Sequence, residues 1–196
     1  MTPKFTIDAR MGTSASPGVE DIRTDLLLLT KPAGTTLGPG PQVLDNRLGG
    51  LLSRKVKQHR FGGRLGQRIH LDLKPEIHDN PQRHVLLVGL GSSEQFDCKA
   101  ACKVFAQLID KALELGVEHV TIPFPANRMT GSSLNLKGTA HLLREIVERK
   151  LAELDGEPKL KEIVIFCTPQ AKQHVQKGLR APVRHASQSC CCQHED

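Results

Sequence analysis

The sequence predicts a single α/β domain whose sheet is at least partly parallel. Three observations carry that prediction. His84–Leu90 holds the apolar run Val85–Val88, too short for a helix and bounded by turn residues. A long amphipathic segment follows, with Phe96, Ala101, Val104, Phe105, Leu108, Ile109, Ala112 and Leu115 on one broad face and Gly116 as its stop. Val117–Ile122 then reads as another strand. A buried strand, a helix and a further strand in succession is the pattern of a layered α/β domain with parallel pairing.

The elements follow in order. Lys4–Arg10 alternates Phe5, Ile7 and Ala9 with polar residues, which predicts a half-buried strand. Met11–Gly18 is rich in Gly, Ser and Pro and reads as a loop. Asp25–Thr30 is continuously apolar from Leu26 to Leu29, a central strand. Lys31–Pro41 gathers glycines and prolines and reads as a long surface loop. Gln42–Gln58 is expected as one helix with Leu44, Leu48, Leu51, Leu52 and Val56 inward, weakened by Gly49 and Gly50. These two glycines are expected to admit a close approach of another segment. Gln67–Leu73 alternates Ile69, Leu71 and Leu73, the next strand, and Lys74–Gln82 is a turn. Gly89 and Gly91 read as a tight turn, with Ser92 and Gln95 as a capping box for the helix beyond. Pro123–Ser133 is a loop. Leu134–Leu154 is a helix with the stripe Leu136, Ala140, Leu143, Val147, Leu151 and Leu154. Glu162–Cys167 is a buried strand. Thr168 caps a last helix whose first turn holds Pro169 and whose anchors are Val175 and Leu179. The domain spans 1–180, and 181–196 reads as a disordered, cysteine-containing tail.

Composition narrows the function classes. The 196 residues include six Phe and no Trp or Tyr, so Leu, Val and Ile must do the packing. No apolar run reaches the roughly 20 residues a membrane helix needs, and the amino terminus lacks a signal-peptide core. A cytoplasmic protein that does not span a membrane is expected. Cys98, Cys102 and Cys167 fit reduced, mostly buried thiols. The net charge of +6 comes from Arg47–Arg83, where nine Lys or Arg face three acids. Without interleaved aromatics this segment reads as a solvated face, and nucleic acid is a disfavoured partner.

Four stretches, Thr24–Gly34, Val43–Leu73, Val85–Asp97 and Val104–Pro125, carry a resemblance. They include Leu48-Gly49-Gly50-Leu51 and the Phe61-Gly62-Gly63-Arg64-Leu65-Gly66 approach to a strand. Together they resemble the amino-terminal domain of the leucyl aminopeptidase family of metallopeptidases, from roughly Phe5 to Leu179. The resemblance implies a macro-domain-like fold: three αβα layers around a mixed, mostly parallel six-stranded sheet. The family's metal-binding motif, Asn-Thr-Asp-Ala-Glu-Gly-Arg-Leu, does not occur in these residues. The resemblance therefore implies the fold and not the catalysis. No catalytic residue, metal ligand or cofactor is assigned.

The candidate binding residues are Arg128, Thr130, Gly131, Ser132 and Ser133, which lead into the helix expected at Leu134. A helix amino terminus offers unpaired N–H groups and a positive dipole end, suited to phosphate. In macro domains the equivalent loop holds the diphosphate of ADP-ribose. A secondary loop carries Gly34, Gly38 and Gly40. It has Thr30–Thr36 where macro domains place an Asn-Ala-Asn run, and Pro39 and Pro41 remove backbone donors. The tail run Cys190–Cys192 lacks the spacing of a structural zinc site. The function expected is a stand-alone, non-catalytic binding or assembly module. Its partners would be another copy, an aminopeptidase, or an anionic, nucleotide-like small molecule. The alternatives are an enzyme acting on ADP-ribose derivatives and a regulatory partner of a full-length aminopeptidase.

Overall fold

Two unbroken apolar runs set the centre of the sheet. The computed structural model describes residues 2–10, 18, 21–73, 81–92, 96–124 and 135–182. Its elements are β1 (Lys4–Ala9), β2 (Thr24–Pro32), α1 (Pro39–Arg47), α2 (Leu51–Gln58), β3 (Arg68–Asp72), β4 (Gln82–Gly91), α3 (Cys98–Leu115), β5 (His119–Pro123), α4 (Leu136–Ala152), β6 (Glu162–Cys167) and α5 (Pro169–Arg180). The strand order is β1-β6-β5-β2-β4-β3, and only β3 runs antiparallel to its neighbour. β2 and β4 pair in register from Leu26–His84 to Thr30–Val88, and both are buried on both faces.

The alternation of side chains splits the core in two. Leu26, Leu28, Leu86, Val88, Val120, Ile122, Ile163 and Ile165 face α3, α4 and α5. Leu27, Leu29, Val85, Leu87, Ile69 and Leu71 face Leu44, Leu48 and Leu52 of the α1–α2 layer. This is the expected three-layer αβα arrangement around a mixed, mostly parallel six-stranded sheet.

The expected helix over Gln42–Gln58 is two helices. Gly49 (φ 60°) and Gly50 (φ 79°) take left-handed conformations that end α1 and start α2. A Cβ on Gly49 would meet nothing within 4 Å, so backbone freedom and not close approach explains these glycines. Asp45, only 3% exposed, spans the break by accepting from the Ser53 N–H at 3.0 Å and from the Ser53 hydroxyl. The helix after β4 is capped by Asp97, which accepts from the Ala100 N–H, and not by Ser92. α4 begins at Leu136 under the Asn135 cap, two residues beyond the expected start. Leu154 lies past the end of α4 and is 38% exposed, so the stripe stops short of it. Thr168 is the N-cap residue of α5, although its side chain makes no capping bond. Cys102 and Cys167 are buried thiols as expected, whereas Cys98 is disulfide-bonded and departs from that expectation.

Long-range polar contacts hold the elements in place. The Asp25 carboxylate accepts from the N–H groups of Glu118 and His119 at 3.0 Å each, tying the start of β2 to the start of β5. Burial raises the Asp25 pKa, but these donors outweigh it and the net shift is downward. Gly178 of α5 packs on the first turn of α4 with no clearance. A Cβ there would lie 2.2 Å from the Lys137 carbonyl oxygen. Arg144 of α4 donates to the Leu179 carbonyl at 2.6 Å, closing the carboxyl end of α5.

His70 and His84 meet on adjacent strands, with Nε2 and Nδ1 3.4 Å apart and Asp72 3.5 Å from His84. Burial lowers both pKa values. Lys111 and His84 add to the shift at His70, and Arg83 and Lys111 at His84; Asp72, Glu114 and Asp25 oppose.

Replacing Asp25 with Ala should cost about 1–3 kcal/mol of unfolding free energy, because two N–H groups lose their acceptor. Urea denaturation checks this, and an unchanged midpoint would sink it. The histidine pair predicts the sign of a pH dependence. The unfolded chain binds more protons than the folded one just below the ordinary histidine pKa of 6.5. Stability should therefore fall as pH drops through that range. In the variant His70→Gln with His84→Gln the slope between neutral pH and pH about 5 should flatten.

Candidate functional site

In open α/β sheets ligands bind outside the carboxyl ends of the parallel strands. Here that edge is formed by the ends of β1, β6, β5, β2 and β4. The residues after each strand decide which part of it is open.

The ends of β2 and β4 are closed by the chain itself. The stretch 61–67 lies against them: Gly89 N–H donates to the Gln67 carbonyl and Gly91 N–H to the Gly63 carbonyl, each at 2.9 Å. Gln67 Oε1 holds this stretch in shape by accepting from the N–H groups of Gly62 and Arg64, both at 3.0 Å. The fit leaves no room for side chains. A Cβ on Gly63 would lie 2.5 Å from the Pro32 carbonyl oxygen, and one on Gly89 would lie 2.1 Å from that of Arg64. Gly89 is thus a strand residue selected for clearance and not part of a tight turn. Gly91, with φ 77°, ends the strand.

Lys31 is the residue that sequence reasoning missed. Placed in a surface loop by its glycine and proline neighbours, it belongs to β2 and is 6% exposed. Its ammonium donates to the carbonyls of Gly62 at 3.2 Å and Pro32 at 3.3 Å, fastening the closing stretch to the strand. Burial lowers its pKa. The signal that could have exposed it is its position two residues beyond an unbroken apolar run, on the strand's alternating pattern.

The secondary loop lies beside this closure. Ala33 N–H donates to the Gly91 carbonyl at 2.8 Å, and Gly34 takes φ 71° with open space where a Cβ would stand. Gly38 is the N-cap residue of α1, which begins at Pro39, so Gly40 lies within the first turn. Pro39 and Pro41 have no N–H, which leaves this helix start poor in donors for an anion.

At the end of β5 the chain runs through Phe124, whose N–H donates to the Phe166 carbonyl at 2.7 Å. Arg128, Thr130, Gly131, Ser132 and Ser133 lie outside the described residues. Beyond them, Asn135 accepts from the Gly138 N–H at 2.8 Å and so occupies one donor at the start of α4. At the end of β6, burial raises the Cys167 thiol pKa, Asp8 adds to the rise and Lys172 opposes it. The raised pKa works against formation of the reactive thiolate. Among the described residues, no group of three or more His, Cys, Asp or Glu is placed to hold a metal ion, and no helix is long and apolar enough to cross a membrane.

Comparison with known proteins gives the geometry a context. Residues 27–151 match the model of the cytosol aminopeptidase family, N-terminal domain. A probable cytosol aminopeptidase of Pseudomonas fluorescens is 25% identical over 179 residues, covering 89% of this chain and 34% of that relative. The chain thus spans about a third of the length of the curated relatives it matches. Among solved structures, a tomato leucine aminopeptidase superposes with a TM-score of 0.64 at 18% identity, over 91% of this chain and 36% of that one. A Trypanosoma brucei macrodomain in complex with ADP-ribose gives 0.64 at 16% identity, over 88% and 68%. At these identities the structural likeness shows the macro-domain-like fold alone.

The closure of the β2 and β4 ends makes two glycines respond differently. Gly89→Ala forces backbone apart and should cost about 3 kcal/mol. Gly34→Ala meets open space and should cost only the left-handed backbone penalty, about 1 kcal/mol. Thermal or urea unfolding of both variants checks the order, and equal losses would contradict it.

Proposed function

Because the chain belongs to the cytosol aminopeptidase family through that family's N-terminal domain, we propose that it is a non-catalytic binding and assembly module. One observation carries the reading: the match is to the family's N-terminal domain, and the family's metal-binding motif does not occur in these residues. In this reading the module associates with another copy of itself or with a full-length aminopeptidase.

A ligand, where one is bound, is an anionic small molecule held by the Arg128–Ser133 loop that leads into α4. The closed ends of β2 and β4 support that position by occupying the alternative place on the edge. Arg128 supplies positive charge, and Thr130, Ser132 and Ser133 supply hydroxyls. The single glycine of that loop favours weak binding, and the lack of an Asn-Ala-Asn run at Thr30–Thr36, with the prolines at the start of α1, weighs against turnover of ADP-ribose derivatives.

Two measurements test the reading. The purified chain should not hydrolyse leucine amide with manganese, zinc or cobalt added; metal-dependent turnover would end the non-catalytic assignment. Calorimetry with ADP-ribose, ATP and inorganic phosphate should give weak binding that Gly131→Val reduces further, because a β-branched residue would crowd the loop. Equal affinities in the two forms, or binding that follows charge changes in Arg54–Arg68, would move the ligand elsewhere.

A further inference from the structure

The outer edge of the sheet at β1 lies three strands from β2 and stands apart from the function proposed above. Among the described residues β1 pairs with β6 alone. The Lys4 N–H donates to the Lys161 carbonyl and the Arg10 N–H to the Cys167 carbonyl. Parallel pairing alternates, so even-numbered residues of β1 bond to β6. Phe5, Ile7 and Ala9 consequently point their N–H and C=O groups away from the sheet. β1 has no proline and its register with β6 runs without a bulge, two devices that usually blunt an open edge.

A cleft of about 550 Å³ runs along this edge, between β1 and the helices α4 and α5. Phe5, Ile7 and Leu179 supply its apolar surface, and Lys4, Lys172 and Arg180 its charge. Among the described lining residues the one carboxylate, Glu148, is already held by Arg144 at 2.6 Å. Lys4, Lys172 and Arg180 are exposed and are in no ion pair among the described residues. A strand edge beside a helix, with an apolar floor and a basic rim, is the form of a groove that takes an extended peptide as an added strand.

The geometry points to an acidic, extended segment of a partner protein as the occupant, pairing with the outward groups of Phe5, Ile7 and Ala9. Backbone bonds supply the register. Alternate side chains of the segment enter the cleft over Phe5, Ile7 and Leu179, and its carboxylates meet Lys4, Lys172 and Arg180. A second copy of this chain fits less well, because joining two β1 edges brings two sets of the same cations together.

The test uses the full chain and two short acetylated peptides, one alternating Glu and Val and one alternating Lys and Val. The Glu peptide should bind by fluorescence anisotropy, with salt-sensitive affinity, and should protect the amides of Phe5, Ile7 and Ala9 from hydrogen exchange. Lys172→Glu with Arg180→Glu changes two exposed residues and should weaken binding about tenfold. Ile7→Pro removes an outward N–H without breaking the β6 ladder and should also weaken it. Equal binding of the two peptides overturns the proposal, as does binding indifferent to the charge reversal or protection at other amides. Protection of these amides without peptide overturns it too, since another part of the chain or a second copy then occupies the edge.

Discussion

The pairing of β2 with β4 is the constraint on which the rest of the structure depends. Each strand buries apolar side chains on both faces, so neither face can be left to water. Helices must then lie on both sides, and the connections supply them. The step from β2 to β4 carries α1 and α2 to one face. The return from β4 across β2 to β5 carries α3 to the other, as right-handed crossovers require. The strands outside this pair are more lenient. β1 is half-buried, and β3 is the short antiparallel edge that brings the stretch 61–67 to the carboxyl ends.

That arrangement also shapes the candidate site. A family of folds that receives ligands at strand ends meets, in this chain, an edge partly filled by its own backbone. Lys31 and three glycines make the filling possible: Gly63 on the closing stretch, Gly89 and Gly91 on the strand. A buried ammonium held by carbonyls and not by a carboxylate acts here as a fastener. Its depressed pKa is the consequence of that setting.

How much of this was legible depends on the kind of signal. β2, β4 and α3 announce themselves through runs and periodicity, and both survive in the structure. The break between α1 and α2 was hidden because Leu44, Leu48 and Leu52 keep helical spacing across it and enter one core. Only the paired glycines marked the interruption. Ser92 imitated a cap that Asp97 supplies, since capping residues are common near any helix start. Lys31 was illegible for a different reason. A lysine among turn residues reads as solvent-facing, and its burial follows from a contact thirty-one positions away in sequence. The phosphate loop at Arg128–Ser133 lies outside the described residues, so its role rests on the proposal alone.

The missing clearance at Gly178 has a reach beyond its own helix. Its contact is with Lys137, in the turn that opens α4 directly after the candidate loop. The last described helix therefore fixes where the first turn of α4 sits, about forty residues earlier along the chain. Any side chain in place of Gly178 would push the two helices apart at that turn. Sequence drift in α5 is thus constrained by a helix it follows at a distance, and the two must change together or not at all.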